Sequence, residues 1–185
     1  MNDPKPTLLA TDVIYQGRKL ALEIHHVEDP DGRRADREIV VHKGSVAILA
    51  FRDAPGGREV LLERNYRYTV GDYMIEIPAG TLDRDGEDPR DCAARELIEE
   101  TGFRAEVLQR LFTTMPSPGF LTEQLTVYVA ERVMAAVSEP EAGELIRIIW
   151  TPWAAALDMV RRNEIIDGKT IAALLYYERF SGPAS

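Results

Sequence analysis

Residues Gly80–Phe103 read GTLDRDGEDPRDCAARELIEETGF. The second half of this stretch carries helix signals at both ends. Asp88 is a good N-cap, and Pro89 sits at the first helical position, where its missing N–H costs nothing. Thr101-Gly102-Phe103 reads as the stop. Gly102 takes the left-handed conformation there, and Phe103 is expected to touch Ile98 in a Schellman-type cap.

Within this helix the acids stand against electrostatic interest. Glu96 and Glu100 are four residues apart and Glu99 is three from Glu96, which puts three carboxylates on one face with Cβ atoms about 5–6 Å apart. They also lie toward the C-terminal end, where the helix dipole disfavours negative charge. A hard divalent cation is the natural partner of such clustered carboxylate oxygens. A solvated acidic face is the other reading, and spacing alone does not choose between them. Arg95 and Glu87 are placed to steer the acids from behind.

RELIEETGF at Arg95–Phe103, with Glu87 upstream and Gly80 before it, resembles the signature of the Nudix hydrolases. The sequence departs from it once: six residues lie between Gly80 and Glu87 where the family usually has five. The extra residue falls in the loop Asp83–Gly86 and leaves the spacing of the helical acids intact. EIPAG at Glu76–Gly80, NYR at Asn65–Arg67, SPGF at Ser117–Phe120, GELI at Gly143–Ile146 and REIV at Arg37–Val40 together resemble the ADP-ribose pyrophosphatase branch.

The resemblance implies an α/β fold, an α/β/α sandwich with a mixed sheet and an N-terminal antiparallel strand pair. It implies residues 1–43 as an N-terminal strand region that dimerises and 44–185 as the hydrolase domain. It implies Mg²⁺, with Mn²⁺ as a substitute, held by Glu96, Glu99, Glu100 and the carbonyl of Ala79. Arg37, Arg67 and Glu76 would serve the substrate, and Gly119, Phe120 and Glu123 would border its terminal ribose. Arg95 would support the catalytic acids. Glu144, or failing it Glu141, would be the general base, since a carboxylate holding a cation has its basicity suppressed. The aromatic that stacks on the adenine stays open between Tyr15 and Tyr66. The implied reaction is hydrolysis of a nucleoside diphosphate sugar, ADP-ribose to AMP and ribose 5-phosphate, by a homodimer. GDP-mannose or another nucleotide sugar is the alternative. A non-catalytic ligand sensor on the same fold is a second, disfavoured by the complete acid set.

Composition agrees with an ordinary globular chain. It has 185 residues, 45% of them hydrophobic and 29% charged, enough for a domain with a real core. A net charge of −9 argues against a groove held by nucleic-acid phosphates and against an anionic membrane surface. Cys92 is the single cysteine, which excludes an internal disulfide and a cysteine-based zinc site. With no signal-type apolar run in Met1–Tyr15, the expected location is the cytoplasm.

Outside the central stretch, Leu20–Val27 and Glu38–His42 read as two strands around the turn Asp29–Gly32, and Met1–Thr7 as loose chain. Ser45–Phe51 is a continuous apolar run of buried-strand type. Glu59–Glu63 returns as its hairpin partner. Tyr73–Ile77, Ala105–Phe112, Leu125–Glu131 and Glu144–Trp150 read as further strands. Pro152–Arg161 and Lys169–Phe180 have helical periodicity, and Trp150 and Trp153 read as core.

Overall fold

The computed structural model describes residues 3–136 and 146–181. Its elements follow in chain order. Strands β1 (Thr7–Gln16), β2 (Leu20–Glu28) and β3 (Arg34–His42) come first, then β4 (Ser45–Ala54), β5 (Gly57–Arg67), β6 (Asp72–Glu76) and β7 (Ala79–Thr81). Helix α1 (Pro89–Thr101) precedes β8 (Phe103–Thr114), β9 (Leu125–Ala135) and β10 (Ile146–Pro152). Helices α2 (Trp153–Arg161) and α3 (Gly168–Phe180) close the chain. None of the described helices is long and apolar enough to cross a membrane.

Two compact units result: 1–44 with 115–124, and 45–114 with 125–185. The first is an antiparallel sheet in the order β1-β2-β3. It therefore has three strands where the sequence suggested a pair. Every residue of β1 is exposed, so no inward-facing set announces it as a strand. The β2–β3 turn closes through Gly32 N–H to Asp29 O, 2.8 Å, with Gly32 at φ 82°. The histidines act as pairing residues: His26 lies 2.7 Å from Asp36 and 3.1 Å from Asp12, bridging all three strands. Segment 115–124 joins this unit through Val40, whose N–H donates to Phe120 O and whose carbonyl accepts from Thr122 N–H.

In the second unit, strands run in the order β10-β5-β4-β9-β8, with β6 on β5 and β7 on β4. β4 and β9 are parallel and the other described pairs antiparallel, so the sheet is mixed. β4 is buried from Ser45 to Phe51, as its unbroken apolar run requires. Ala47, Leu49 and Phe51 face a layer built from α2, α3 and Ile165; Val46, Ile48 and Ala50 face Cys92, Ala93 and Leu97 of α1. The period of two thus sends alternate β4 side chains into two cores, with helices on both sides. Trp153 packs in the first core and Trp150 in the second.

α1 begins and ends where its signals stand. Asp88 caps it by accepting from Arg90 N–H at 2.8 Å, and Pro89 follows at the first position. Gly102 ends it at φ 70°, its N–H bonded to Ile98 O. The expected Schellman closure by Phe103 is replaced. Phe103 N–H donates to Thr101 Oγ1 at 3.1 Å, and its ring meets Trp150 edge-on at 5.3 Å. Its ring joins the second core where β8 begins.

Candidate active site

α1 has no basic residue in its last turn, and the acids there are held by a cation from one turn back. The Arg95 guanidinium grips Glu87 with a fork of two 3.0 Å bonds. Its Nη1 reaches Glu96 at 2.8 Å and Glu99 at 2.7 Å, and Nη2 reaches Asp83 at 3.3 Å. Glu87 comes to this position because the loop before it, one residue longer than expected, folds on an Arg84 O to Glu87 N–H bond of 3.1 Å with Gly86 at φ 74°. Bonding to Arg95 holds the Glu87 carboxyl below its usual range.

Glu96 behaves differently. Burial pushes its carboxyl up, and Arg95 offsets only part of that. It lies against Gly80, where an added Cβ would stand 2.0 Å from Glu96 Cδ. Gly80 is therefore needed for the space it leaves: a methyl group there would displace the carboxyl. Glu100 accepts from the Ala79 N–H at 3.0 Å, which ties the end of α1 to the start of β7. So Ala79, Gly80, Glu96, Glu99, Glu100 and Arg95 are brought together. Among the described residues no three acids, histidines or cysteines already surround one point as a ready-made metal cage. The donors available are all hard oxygens, the set that Mg²⁺ takes, and the half-buried Glu96 carboxyl beside the Gly80 cradle fits a cation. Cys92, behind the acids, is buried and its thiol is pushed up to about 12 by that burial, so it is inert.

Three residues before Ala79 a second cluster begins. Glu76, 1% exposed, accepts a fork from Arg67 at 2.7 and 2.6 Å. Lys169, from the first turn of α3, bonds the same carboxylate and reaches Asp167 Oδ2 at 3.0 Å. Burial alone would raise the Glu76 carboxyl, but Arg67 and Lys169 together bring it below its usual range. Glu63, directly across the β5–β6 ladder from Glu76, is fully buried. Its Oε1 takes a 3.5 Å contact from Asn65, while Oε2 has no hydrogen-bond partner among the described residues. Burial first, then the Glu76 charge, pushes Glu63 up to about 7.

Lys169 and Glu63 escaped the sequence reading. Asp167-Gly168 reads as a turn, and Glu63 as the polar end of an apolar strand. The signal available was Glu63 standing inside V-L-L-E-R-N-Y, where the strand runs on to Arg67. Of the other expected site residues, Arg37 lies on β3 opposite His25, and Gly119, Phe120 and Glu123 lie in segment 115–124 of the same unit. Phe120 is 54% exposed. Glu141 and Glu144 fall outside the described residues.

The mixed sheet thus lies between helices, with the glutamate-rich face of α1 set against Ala79 and Gly80 of β7. A family model described as NUDIX domain matches residues 41–174. The chain belongs to the Nudix family, and it is a hydrolase. It is 35% identical over 175 residues to a methanol dehydrogenase activator of Bacillus methanolicus, covering 92% of this chain and 91% of the relative. It is 34% identical over 172 residues to an ADP-ribose pyrophosphatase of Bacillus subtilis (strain 168), with the same coverage of 92% and 91%. A solved structure titled as an ADP compounds hydrolase superposes with a TM-score of 0.82 at 23% identity, covering 95% of this chain and 94% of its own, which establishes likeness of fold.

Proposed function

We propose that the protein hydrolyses the diphosphate of a nucleoside diphosphate sugar, with ADP-ribose as substrate and AMP and ribose 5-phosphate as products. The observation that carries this reading is the segment Glu76–Gly80. At one end it joins a cluster that offers a cation, Arg67; at the other it joins one that offers carboxylates, Glu96 and Glu100. A diphosphate needs both: cationic donors for its oxygens and acids to hold the metal that shields it. The similarity to a protein named ADP-ribose pyrophosphatase over nearly the whole chain supports the substrate.

Nudix hydrolases generally use divalent metals. Here Glu96, Glu99, Glu100 and the Ala79 carbonyl would hold Mg²⁺ or Mn²⁺, which when bound supplies neutralising charge for phosphate oxygens and a more acidic water. The chain's own residues do the rest. Arg95 fixes the rotamers of Glu87, Glu96 and Glu99. Arg67 turns toward the diphosphate. Glu144, with Glu141 as its substitute, takes the proton from the attacking water. Arg37, Gly119, Phe120 and Glu123 border the nucleoside and ribose ends.

Residues 1–43 serve dimerisation, and 44–185 hydrolysis. Leu8, Leu9, Val13, Ile14, Tyr15 and Leu20 are exposed apolar residues within 1–43, a composition suited to a partner surface. The protein then works as a cytoplasmic homodimer. A panel of ADP-ribose, GDP-mannose and other nucleotide sugars with Mg²⁺, read by phosphatase-coupled phosphate release, tests the function. ADP-ribose is expected to give the highest kcat/KM; GDP-mannose ahead of it would move the substrate, and no release from any would refute hydrolysis.

A further inference from the structure

Glu76 holds two cations, and they differ in freedom. The Arg67 side chain is 37% exposed and reaches Glu76 from the end of β5. The Lys169 side chain is 17% exposed and is pinned on its other side by Asp167. Asp167 is itself fixed as the N-cap of α3, accepting from Thr170 N–H at 3.0 Å and from its hydroxyl at 2.5 Å. One cation can therefore leave and the other cannot.

A buried carboxylate stripped of its only cation is strongly unfavourable. If Arg67 were the sole partner of Glu76, it would be locked there and could not serve an anion. Glu63 sharpens the demand. It faces Glu76 across the ladder with Oε2 unpartnered, and the charged groups acting on it are Glu76, Lys169 and Arg67. The Glu76 carboxylate, with Glu63 across from it, thus needs another cation when Arg67 departs.

We propose that Lys169 is a positioning residue that keeps Glu76 neutralised so that Arg67 can be released to the diphosphate of the substrate. The inference rests on the reading of Arg67 as a substrate residue. It makes Arg67 exchangeable and Lys169 permanent, two roles on one carboxylate.

Steady-state kinetics on the full-length enzyme with ADP-ribose and Mg²⁺ tests it. Lys169→Met is expected to raise KM about tenfold or more with kcat within about threefold, the pattern of lost substrate binding. Lys169→Arg should recover most of that loss. Glu76→Gln added to Lys169→Met should bring KM back toward that of Glu76→Gln alone, because a neutral amide requires no counter-ion; a role in packing alone would not be relieved this way. A KM unchanged in Lys169→Met beside a raised one in Arg67→Ala overturns the proposal and leaves the reading of Arg67 standing. An unchanged KM in Arg67→Ala overturns both. Where Lys169→Met alone does not fold, the double variant against Glu76→Gln carries the test: equal KM values support the proposal, and a several-fold rise on losing Lys169 overturns it.

Discussion

The two charged clusters of the second unit differ in how their charges balance. Around Arg95, one cation serves four carboxylates, Asp83, Glu87, Glu96 and Glu99. Around Glu76, one carboxylate serves two cations, Arg67 and Lys169. The first has negative charge to spare and suits an added cation; the second is balanced once Asp167 on Lys169 is counted, and its more exposed cation, Arg67, is the one placed to meet an anion. Neither sum is visible from the net charge of −9. The lesson is that local imbalance, held by a rigid sheet edge and a capped helix, matters more to this substrate than the overall field.

Breaking the acid-rich side should cost most. Glu96→Gln or Glu100→Gln is expected to leave a folded protein whose turnover is lower by about a hundredfold or more, since each removes charge that organises the transition state. Circular dichroism and kcat measured together check this, and near-normal turnover in either variant would remove that residue from the ligand set. Gly80→Ala is next. Its Cβ would collide with the Glu96 carboxyl, and a loss of roughly tenfold in kcat is expected with the Mg²⁺ dependence moved to higher concentration. An alanine variant with unchanged metal dependence would show that the cradle is only a packing detail.

The smallest effect sharpens the side around Glu76. Glu63 holds its proton up to about 7 in the folded protein, against an ordinary value of 4.5. The folded state therefore binds more protons than the unfolded state between these values. Stability from this group is complete below about pH 4.5 and is lost as pH rises through about 7. Glu63→Gln should flatten that slope, making the variant more stable than the parent at pH values above 7 by roughly 1–3 kcal/mol. Urea unfolding at several pH values measures it; parallel curves for variant and parent would mean that Glu63 is ionised without penalty.

Much of this was legible in the chain. Ser45–Phe51 announced a strand covered on both faces because no polar residue interrupts it, and α1 announced itself through Asp88, Pro89 and Gly102. The acids were legible because their spacing makes sense only on one helical face. β1 was not, since a fully exposed strand needs no inward alternation. Lys169 was not, because its partner Glu76 stands 93 residues earlier and only the sheet register brings α3 beside it. Glu63 was hidden for the same reason: an acid within an apolar strand shows its burial only once the strand is paired. The edge-on packing of Phe103 with Trp150 was not legible, because helix-end rules are local and that contact is not.

The parallel pairing of β4 with β9 has a consequence for how the chain acquires its structure. Ser45 pairs with Leu125, and His42 N–H reaches Thr122 Oγ1 across a separation of 80 residues. Both contacts close nearly the same span. The entropy of bringing distant segments together is therefore expended once, and the second contact follows at little further cost. The span contains β5, β6, β7, α1 and β8, so one long-range closure brings both pairs together, and long-range closures of this kind slow folding. During synthesis β4 leaves the ribosome long before its parallel partner β9 exists. The run Ser45–Ala50 must wait for β9, because the hairpin with β5 pairs β4 only from Phe51 to Ala54.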